Sequence, residues 1–280
     1  MRKRVKDLAY ALNTNKSELI DIANQLDLDE SKLYHSFTQP KGEHKGVPQF
    51  RTIDAPGKKL KKLQRKILSS VLYESSLPEY FFGGVKGKDG VLNARYHQGN
   101  KYFFLTDMKS FYPSVKDTDV SLVLIKEGFY PEVANLLARL CTRRGSLPQG
   151  CPTSSFLASL VVYHSCGDLF QSYMDRGLKV SVYVDDITMS GPTDFKSDVQ
   201  DIISEIRGRG MKINFEKTHY CTKNPKVTGI LMKNNGIVAM PYTYDRSQDD
   251  TIPEPSRVGH LQRIEYVNRI AKQKSSSQAD

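Results

Sequence analysis

Apolar side chains recur every three or four positions along much of the chain, a spacing that is typical of helices with one buried face. It predicts two or three helices within residues 5–36 and further helices over 58–73, 117–128, 131–141, 153–173 and 194–208. A last helix is expected to end near residue 273 and to be followed by a disordered polar tail.

Other stretches have the patterns of strands. These strands are predicted over residues 49–54, 101–107, 178–184, a return strand that ends at Gly191, and 211–215. The run 101–107 is aromatic on both faces, which indicates a buried strand. Residues 178–184 alternate between apolar and polar side chains, as in a half-buried strand. Residues 38–57 are otherwise expected to be loop, because Pro and Gly recur there. An Asn-Asn-Gly sequence at 234–236 predicts a further hairpin turn.

Between residues 101 and 215 the predicted order is strand, helices, strand, strand, helix, strand. This is the split βαβ, or ferredoxin-like, arrangement, so the predicted fold class is α+β. Unrelated functions share that topology, and function must therefore be argued from particular residues.

The charge of the chain is unevenly distributed. The net charge is +10 over 280 residues. Residues 1–66 carry 15 Lys and Arg against 8 Asp and Glu, residues 67–216 carry 16 against 17, and residues 217–280 carry 10 against 6. Basic ends around a neutral middle favour an anionic polymer as partner. A generally basic soluble protein would have the same net charge.

Two classes of protein are excluded. The most apolar stretch, residues 156–163, is eight residues long, whereas about 20 are needed to cross a bilayer. No Cys-x-x-Cys pair is present, which rules out a zinc ribbon or a thioredoxin-like motif. Reduced thiols in a cytoplasmic protein without membrane contact are expected.

Three aspartates are candidate metal ligands. Asp185 and Asp186 lie at the tip of a predicted hairpin, where adjacent like charges are unfavourable unless a cation or water separates them. Asp107 ends another strand and meets Asp185 if the two strands are neighbours, whereas Asp186 points away unless the turn rotates it. Such oxygen ligands suit Mg²⁺, and two ions about 3.5–4 Å apart would activate a 3′-hydroxyl and stabilise leaving pyrophosphate. The alternative is a solvated turn, since Asp is common in turns.

Two further motifs stand in order around this Tyr-Val-Asp-Asp turn. They are Thr106-Asp-Met-Lys-Ser-Phe-Tyr-Pro113, and Leu147-Pro-Gln-Gly150 followed by Pro152-Thr-Ser-Ser. Together the three motifs resemble the palm of reverse transcriptases, and the resemblance covers about residues 30–235. It implies a right-hand polymerase with N-terminal helices and fingers in 1–100, a ferredoxin-like palm in 101–222, and a small helical thumb with a polar tail in 223–280. It also implies that Asp107, Asp185 and Asp186 hold two Mg²⁺ ions.

The resemblance assigns nucleotide contacts to three of these positions. Tyr112 would lie under the sugar of the incoming nucleotide and reject a 2′-hydroxyl, or it is a core aromatic beside Phe111. Gln149 and Gly150 would lie beside the same nucleotide, and this run also fits the N-cap and packed first turn of a helix.

Basic residues would contact the phosphates. Lys217, in Asn-Phe-Glu-Lys-Thr, resembles the lysine near the pyrophosphate, where it acts as a general acid or a counter-charge; otherwise it is a solvated lysine. Arg51 matches the fingers arginine that grips the triphosphate, and Lys61 occupies the place of a second basic contact. Lys61 belongs to a run of six cations in nine residues, 58–66, with no acidic residue among them. Such a run is either a solvated face or a phosphate contact.

Two short signatures favour retron reverse transcriptases over intron or viral enzymes. Asn93-Ala-Arg-Tyr-His97 matches the Asn-Ala-x-x-His signature of retron enzymes, and Val227-Thr228-Gly229 matches their Val-Thr-Gly. These residues are candidate RNA contacts, although a lone histidine such as His97 is more often a packed side chain. Val184 departs from the Ala that retron enzymes commonly have in the turn. Only 51 residues follow Gly229, so RNA binding is expected to depend more on the N-terminal basic region or on a partner.

The resemblance implies a specific activity. Retron enzymes bind one cognate non-coding RNA (msr-msd), prime from the 2′-hydroxyl of an internal guanosine, and use dNTPs to copy part of the RNA into single-stranded DNA. This DNA stays joined to the RNA as msDNA and serves bacterial anti-phage defence with a separate effector protein. Two alternatives remain open: a non-retron defence reverse transcriptase with different priming, and a catalytically silent RNA-binding scaffold.

Overall fold

The computed structural model describes residues 4–44, 46–233 and 236–273. The chain divides into two compact units. The first comprises Met1–Pro78 and Ser110–Ser165, and the second comprises Glu79–Lys109 and Cys166–Asp280. The division into fingers, palm and thumb at 1–100, 101–222 and 223–280 stays a prediction.

The structure contains both helices and antiparallel strands. The helices are α1 (Val5–Ala11), α2 (Lys16–Leu28), α3 (Lys58–Ser70), α4 (Gly90–Tyr96), α5 (Phe111–Ser114), α6 (Asp117–Lys126), α7 (Pro131–Cys141), α8 (Ser154–Asp175), α9 (Val199–Gly208), α10 (Pro241–Ser247) and α11 (Glu254–Lys272). The strands are β1 (Tyr34–His44), β2 (Val47–Pro56), β3 (Tyr102–Asp107), β4 (Lys179–Tyr183), β5 (Asp186–Gly191), β6 (His219–Cys221), β7 (Lys226–Val227), β8 (Ile230–Lys233) and β9 (Gly236–Ala239). The predicted helices are confirmed, and so is the α+β class.

In the first unit, α1, α2 and α7 pack together, and α3 contacts β2 of the β1–β2 hairpin. The predicted strand 49–54 lies within β2 and is confirmed, but the expectation of loop over the rest of 38–57 was wrong, because β1 and β2 pair along almost their whole length. Pro40 and Gly42 flank a register shift in the ladder, and bulges and edge strands are where a sheet tolerates Pro and Gly. The Pro and Gly residues therefore mark an irregularity within the hairpin rather than its absence.

The second unit contains the predicted ferredoxin-like sheet. Its four strands are antiparallel in the order β4-β5-β3-β6, which is the strand order of the split βαβ arrangement. The fourth strand is not at 211–215 as expected. Ile213 makes a single bridge to Met108, after which the chain turns, and β6 pairs with β3 instead. The Asn214 N–H donates to the Asp107 carbonyl at 2.8 Å, and the turn that follows has hydrogen bonds from the Lys217 N–H to the Asn214 carbonyl at 3.1 Å and from the Thr218 N–H to the Phe215 carbonyl at 3.3 Å.

A second core in this unit lies between helices and a three-stranded sheet, β7-β8-β9. Its buried residues come from α4, β3, the three strands and α11: Val91, Ala94, Phe103, Leu105, Val227, Ile230, Met232, Ile237, Ala239, Val267 and Ile270. β8 and β9 pair as a hairpin from Ile230↔Ala239 to Lys233↔Gly236. Asn234 and Asn235 of the predicted turn lie outside the described residues, as does the predicted disordered tail after residue 273.

Two expectations about the chain as a whole can be compared with this structure. Within the ranges that the structure covers, no helix has both the length and the apolar composition needed to cross a membrane. The four cysteines carry free thiols, and Cys141, Cys151 and Cys166 are buried.

Candidate active site

Two aspartates face each other across neighbouring strands of the four-stranded sheet. Asp107, the last residue of β3, is the register partner of Asp186, the first residue of β5. Residues directly opposite in an antiparallel pair project from the same face. Asp186 therefore shares the face of Asp107 rather than pointing away from it.

The third aspartate is placed by the turn between β4 and β5. Val184 has a φ of +60°, in the left-handed region, and this conformation rotates the chain so that Asp185 follows on the same edge. The Asp185 carbonyl accepts a hydrogen bond from the Met108 N–H at 2.9 Å, which ties the turn to the end of β3. Ligand oxygens of Asp107, Asp185 and Asp186 all lie within 4.8 Å of one another.

The electrostatics of this cluster favour a bound cation. Burial raises the pKa of Asp186 to about 7, and the charges of Asp185 and Asp107 add to the effect, whereas Lys217 opposes it. Carboxylates this close do not all ionise without a counter-charge. Three carboxylate groups are a hard oxygen donor set, which suits divalent ions such as Mg²⁺.

Lys217 and Asn214 both bind Asp107. Lys217 Nζ lies 2.6 Å from Asp107 Oδ2, and Asn214 Nδ2 donates to Asp107 Oδ1 at 3.1 Å. Burial lowers the pKa of Lys217, but the hydrogen bond that Lys217 donates to Asp107 and the charges of the three aspartates outweigh it and raise that pKa above its ordinary value. No role was predicted for Asn214 from the sequence. Its position three residues before Lys217, in the same motif, was the signal that could have indicated one.

A cavity of about 420 Å³ opens beside the cluster. Its walls include Asp107, Asp186 and Lys217, together with Lys226 and Gly229 from the region of the Val-Thr-Gly signature. Carboxylates and ammonium groups therefore share one concave surface in the second unit.

The two retron signatures meet inside the second unit. The Thr228 hydroxyl donates to the Gly90 carbonyl at the start of α4, at 2.6 Å, and Asn93 Nδ2 reaches Thr228 Oγ1 at 3.5 Å. Asn93 and Val227 are buried, so the expectation that their side chains contact RNA directly is not supported by this packing. Thr228 is half-buried and lines the cavity beside the aspartates.

His97 is a packed side chain rather than an exposed RNA contact. It is fully buried, and its two ring nitrogens form 2.7 Å hydrogen bonds to Ser190 on β5 and Ser181 on β4. Burial lowers its pKa to about 3, with a smaller contribution from Lys179. His97 therefore joins the two strands that lead into and out of the Asp185 turn.

The predicted nucleotide contacts lie in the first unit. Arg51 donates to Gln39 Oε1 from Nε and Nη2, at 3.1 and 2.8 Å. The Tyr112 hydroxyl lies 2.8 Å from Ser155 Oγ on α8. These three hydrogen bonds orient the two side chains. A role for either residue toward a nucleotide stays a prediction.

The loop with Gln149 and Gly150 packs on β2. The Gln149 carbonyl accepts from the Asp54 N–H at 2.7 Å. Gly150 has a φ of +122°, and a Cβ there would lie 2.9 Å from Ile53 Cγ2. Glycine is therefore required at this position by both conformation and space.

The cationic run on α3 has partners that the local sequence did not reveal. Lys59 pairs with Glu18 on α2 at 3.1 Å, and Lys66 Nζ donates to the Leu12 carbonyl at 2.8 Å. Lys61 is half-exposed. Lys59 is thus paired with an acidic residue that lies outside the run, and the choice between a solvated face and a phosphate contact stays a prediction for the rest of it.

Comparison with known families identifies the class of protein. The family model described as reverse transcriptase (RNA-dependent DNA polymerase) matches residues 40–232, which is more than half of the chain. The chain belongs to the reverse transcriptase family, and the predicted right-hand polymerase fold class is confirmed.

Similar proteins indicate which group of reverse transcriptases the chain resembles. The chain is 30% identical over 218 residues to the retron Se72 reverse transcriptase of Salmonella heidelberg, which covers 73% of the chain and 56% of the relative. It is 31% identical over 216 residues to the retron Ec86 reverse transcriptase of Escherichia coli, covering 73% of the chain and 64% of the relative. It is also 28% identical over 264 residues to the retron Mx162 reverse transcriptase of Myxococcus xanthus, covering 82% and 53%. The chain thus spans about half to two thirds of these relatives, and the predicted resemblance to retron-type enzymes is confirmed.

Proposed function

We propose that the protein is an RNA-directed DNA polymerase that copies a cognate structured non-coding RNA into single-stranded DNA. The observation that carries this proposal is the cluster of Asp107, Asp185 and Asp186, whose ligand oxygens lie within 4.8 Å of one another. The family match and the retron relatives support the choice of reaction.

The three aspartates would hold two Mg²⁺ ions. Bound there, the ions would activate the primer hydroxyl and neutralise charge on the triphosphate. Asp107 and Asp186 contribute because the β3–β5 register sets them face to face, and Asp185 contributes because the turn at Val184 directs it to the same edge. The raised pKa of Asp186 supports this assignment, since the cluster lacks sufficient counter-charge within the protein.

Lys217 would act on the leaving group. Its ammonium lies at the Asp107 carboxylate and borders the same cavity, so it is available to neutralise negative charge that develops there. Asn214 would hold Asp107 in place through Oδ1, whereas Oδ2, which Lys217 contacts, would be shared between that ammonium and the cations.

Residues of the first unit would recognise the nucleotide. We assign the triphosphate to Arg51 and Lys61, the sugar to Tyr112, and the surroundings of the nucleotide to Gln149 and Gly150. The support is the family resemblance together with the local hydrogen bonds that fix the Arg51 and Tyr112 side chains.

The proposal about RNA and protein partners rests on analogy with the relatives. The relatives are named as retron reverse transcriptases, and we propose by analogy a cognate msr-msd RNA, dNTP substrates and priming from an RNA 2′-hydroxyl in the bacterial cytoplasm. The msDNA product would act in anti-phage defence together with an effector protein. The excess of basic residues in 1–66 and 217–280 suits an RNA partner.

The nucleic acid that co-purifies with the protein tests this proposal. A branched RNA–DNA molecule, identified by sequencing and by sensitivity to debranching enzyme, is the expected result. Linear DNA alone would indicate a reverse transcriptase with different priming. RNA without DNA, combined with no Mg²⁺-dependent primer extension, would indicate a silent RNA-binding scaffold and would overturn the proposal.

A further inference from the structure

The turn that carries Asp185 contains an unfavourable backbone conformation. Val184 lies in the left-handed region with a φ of +60°, which β-branched residues avoid because their Cβ substituents crowd the backbone. Such a conformation persists where the surrounding structure holds it in place. Contacts to Val184 therefore fix the position of the carboxylate that follows it.

Residues 80–83, here named the turn brace, lie along β4 just before this turn. The Val182 N–H donates to the Tyr80 carbonyl at 2.9 Å, and the Phe82 N–H donates to the Val182 carbonyl at 2.8 Å. Phe81 forms a parallel bridge with Val182 and is fully buried. The turn brace is thus anchored both by backbone hydrogen bonds and by its own buried side chain.

Gly83, the last residue of the turn brace, is in direct contact with the strained peptide. A Cβ on Gly83 would lie 2.2 Å from Val184 N, 2.6 Å from Val184 Cγ2 and 2.8 Å from Tyr183 C. Each separation is shorter than 3.0 Å, and real Cβ atoms essentially never come this close to another heavy atom. The φ of Gly83 is not in the left-handed region, so glycine is needed here for space rather than for backbone conformation.

We propose that Gly83 is a positioning residue for the metal-binding turn. Because it has no side chain, the turn brace can lie against the peptide between Tyr183 and Val184 and hold it where Asp185 and Asp186 meet Asp107. Gly83 does not itself touch the carboxylates and acts through the backbone of the turn. This inference rests on the proposed function, since polymerisation is the activity that the positioned carboxylates serve.

The substitution Gly83→Ala separates this role from simple packing. If Gly83 is needed only for close packing, the folded Gly83→Ala variant has altered stability and unchanged metal binding. If it positions the turn, the added methyl displaces the peptide of Val184, and the three carboxylates no longer meet. A displacement of about 1 Å is enough to lower a rate by about 10²-fold.

The experiment uses the full chain and reads metal binding apart from activity. Mn²⁺ affinity is measured by electron paramagnetic resonance, and kcat and KM for a dNTP are measured by primer extension on an RNA template with Mg²⁺. Gly83→Ala is expected to weaken Mn²⁺ binding at least tenfold and to lower kcat about 10²-fold with little change in template affinity. The matched control is Gly259→Ala on α11, where a Cβ meets nothing within 4 Å; it is expected to behave as wild type.

A second variant covers the case in which Gly83→Ala does not fold. Val184→Gly removes the Cγ2 contact and the strain on φ, so the turn can move away from the added methyl, and the double variant is expected to fold. Because the contacts to Val184 N and Tyr183 C remain, it is expected to bind Mn²⁺ at least tenfold more weakly than Val184→Gly alone. Equal Mn²⁺ affinity in these two variants would contradict the proposed contact. Folded Gly83→Ala with wild-type Mn²⁺ affinity and kcat would overturn the inference and leave the proposed function intact. A wild-type protein without primer extension would count against the proposed function, and the Mn²⁺ affinities would still decide the role of Gly83.

Discussion

The ammonium of Lys217 donates a hydrogen bond to the carboxylate of Asp107, with 2.6 Å between Nζ and Oδ2. About half of the Lys217 side chain is exposed, whereas Asp107 is almost fully buried. The lysine thus reaches from the protein surface to Asp107, the most buried carboxylate of the cluster, and places a positive charge beside it.

Replacement of Lys217 is expected to slow nucleotide addition. The raised pKa of Lys217 keeps it protonated, so its main contribution is expected to be a counter-charge. Lys217→Ala is expected to lower kcat about 10²-fold in single-nucleotide incorporation, the order of loss on removing one electrostatic contact. Lys217→Arg keeps the charge and is expected to retain at least tenfold more activity than Lys217→Ala. Equal loss in both variants would instead favour proton donation as the role of Lys217.

The effect of Mg²⁺ on stability is expected to depend on pH. The pKa of Asp186 is raised from 3.8 in the unfolded chain to about 7 in the fold. Without metal the fold therefore favours the protonated carboxyl, and this contribution to stability is lost as pH rises from about 4 to about 7. Mg²⁺ competes with that proton, so the rise in Tm on adding Mg²⁺ is expected to be larger at pH 8 than at pH 6.

The control for this dependence is Asp186→Asn, which has no titrating group at that position. Thermal melts of both proteins with and without Mg²⁺ provide the measurement. An equal Mg²⁺-induced shift in Tm at the two pH values in the wild-type protein would show that Asp186 does not titrate in this range.

His97 is expected to make the fold sensitive to acid. Its pKa is lowered to about 3 in the fold, whereas the unfolded chain takes up a proton near pH 6.5. The unfolded state therefore binds more protons between these values, and the free energy of unfolding falls as pH decreases below about 6.5, by up to ~1.4 kcal/mol per pH unit.

His97→Asn tests this expectation. The variant loses a hydrogen bond between a buried ring and a serine of β4 or β5, which costs about 1–3 kcal/mol at neutral pH. Its free energy of unfolding, measured with urea, is expected to vary less between pH 7 and pH 5 than that of the wild-type protein. The same slope in both proteins would exclude His97 as the source of the acid sensitivity.

Tyr112 is expected to select the sugar of the nucleotide. Its hydroxyl is bonded to Ser155, which holds the ring in one orientation. Tyr112→Ala is expected to raise incorporation of rNTPs relative to dNTPs at least tenfold, because a site that excludes a hydroxyl by contact loses discrimination when the contact is removed. Tyr112→Phe keeps the ring and is expected to retain most of the selectivity. Unchanged selectivity in Tyr112→Ala would assign the ring to packing alone.

Local patterns predicted most elements of the fold and the acidic part of the site. Helical periodicity and the alternation in residues 178–184 depend on near neighbours, and the structure has helices and a strand at these places. Asp107 and Asp185 were predicted to meet if their strands were neighbours; β5 in fact lies between β4 and β3, and Asp185 reaches Asp107 from the turn that joins β4 to β5. The resemblance assigned Asp186 to the metal site, but its place opposite Asp107 depends on the β3–β5 register, which no local pattern determines.

Long-range contacts account for what the sequence did not reveal. The β1–β2 hairpin is stabilised by pairing between two segments that are each rich in turn-forming residues. The fourth strand of the sheet lies at residues 219–221 rather than 211–215, and it is defined by pairing with β3, which is distant in sequence. The contact between Thr228 and Gly90 joins residues 138 positions apart, and no local pattern predicts it.

The most direct measurement is RNA-templated primer extension with Mg²⁺ by the wild-type protein and Asp185→Asn, alongside RNA binding by both. The matched control is Asp201→Asn, an exposed position on α9. The wild-type protein and the control are expected to extend the primer, whereas Asp185→Asn binds RNA with similar affinity and adds no nucleotide. Full extension by Asp185→Asn, or none by the wild-type protein, would contradict the assignment of this carboxylate cluster as the catalytic centre.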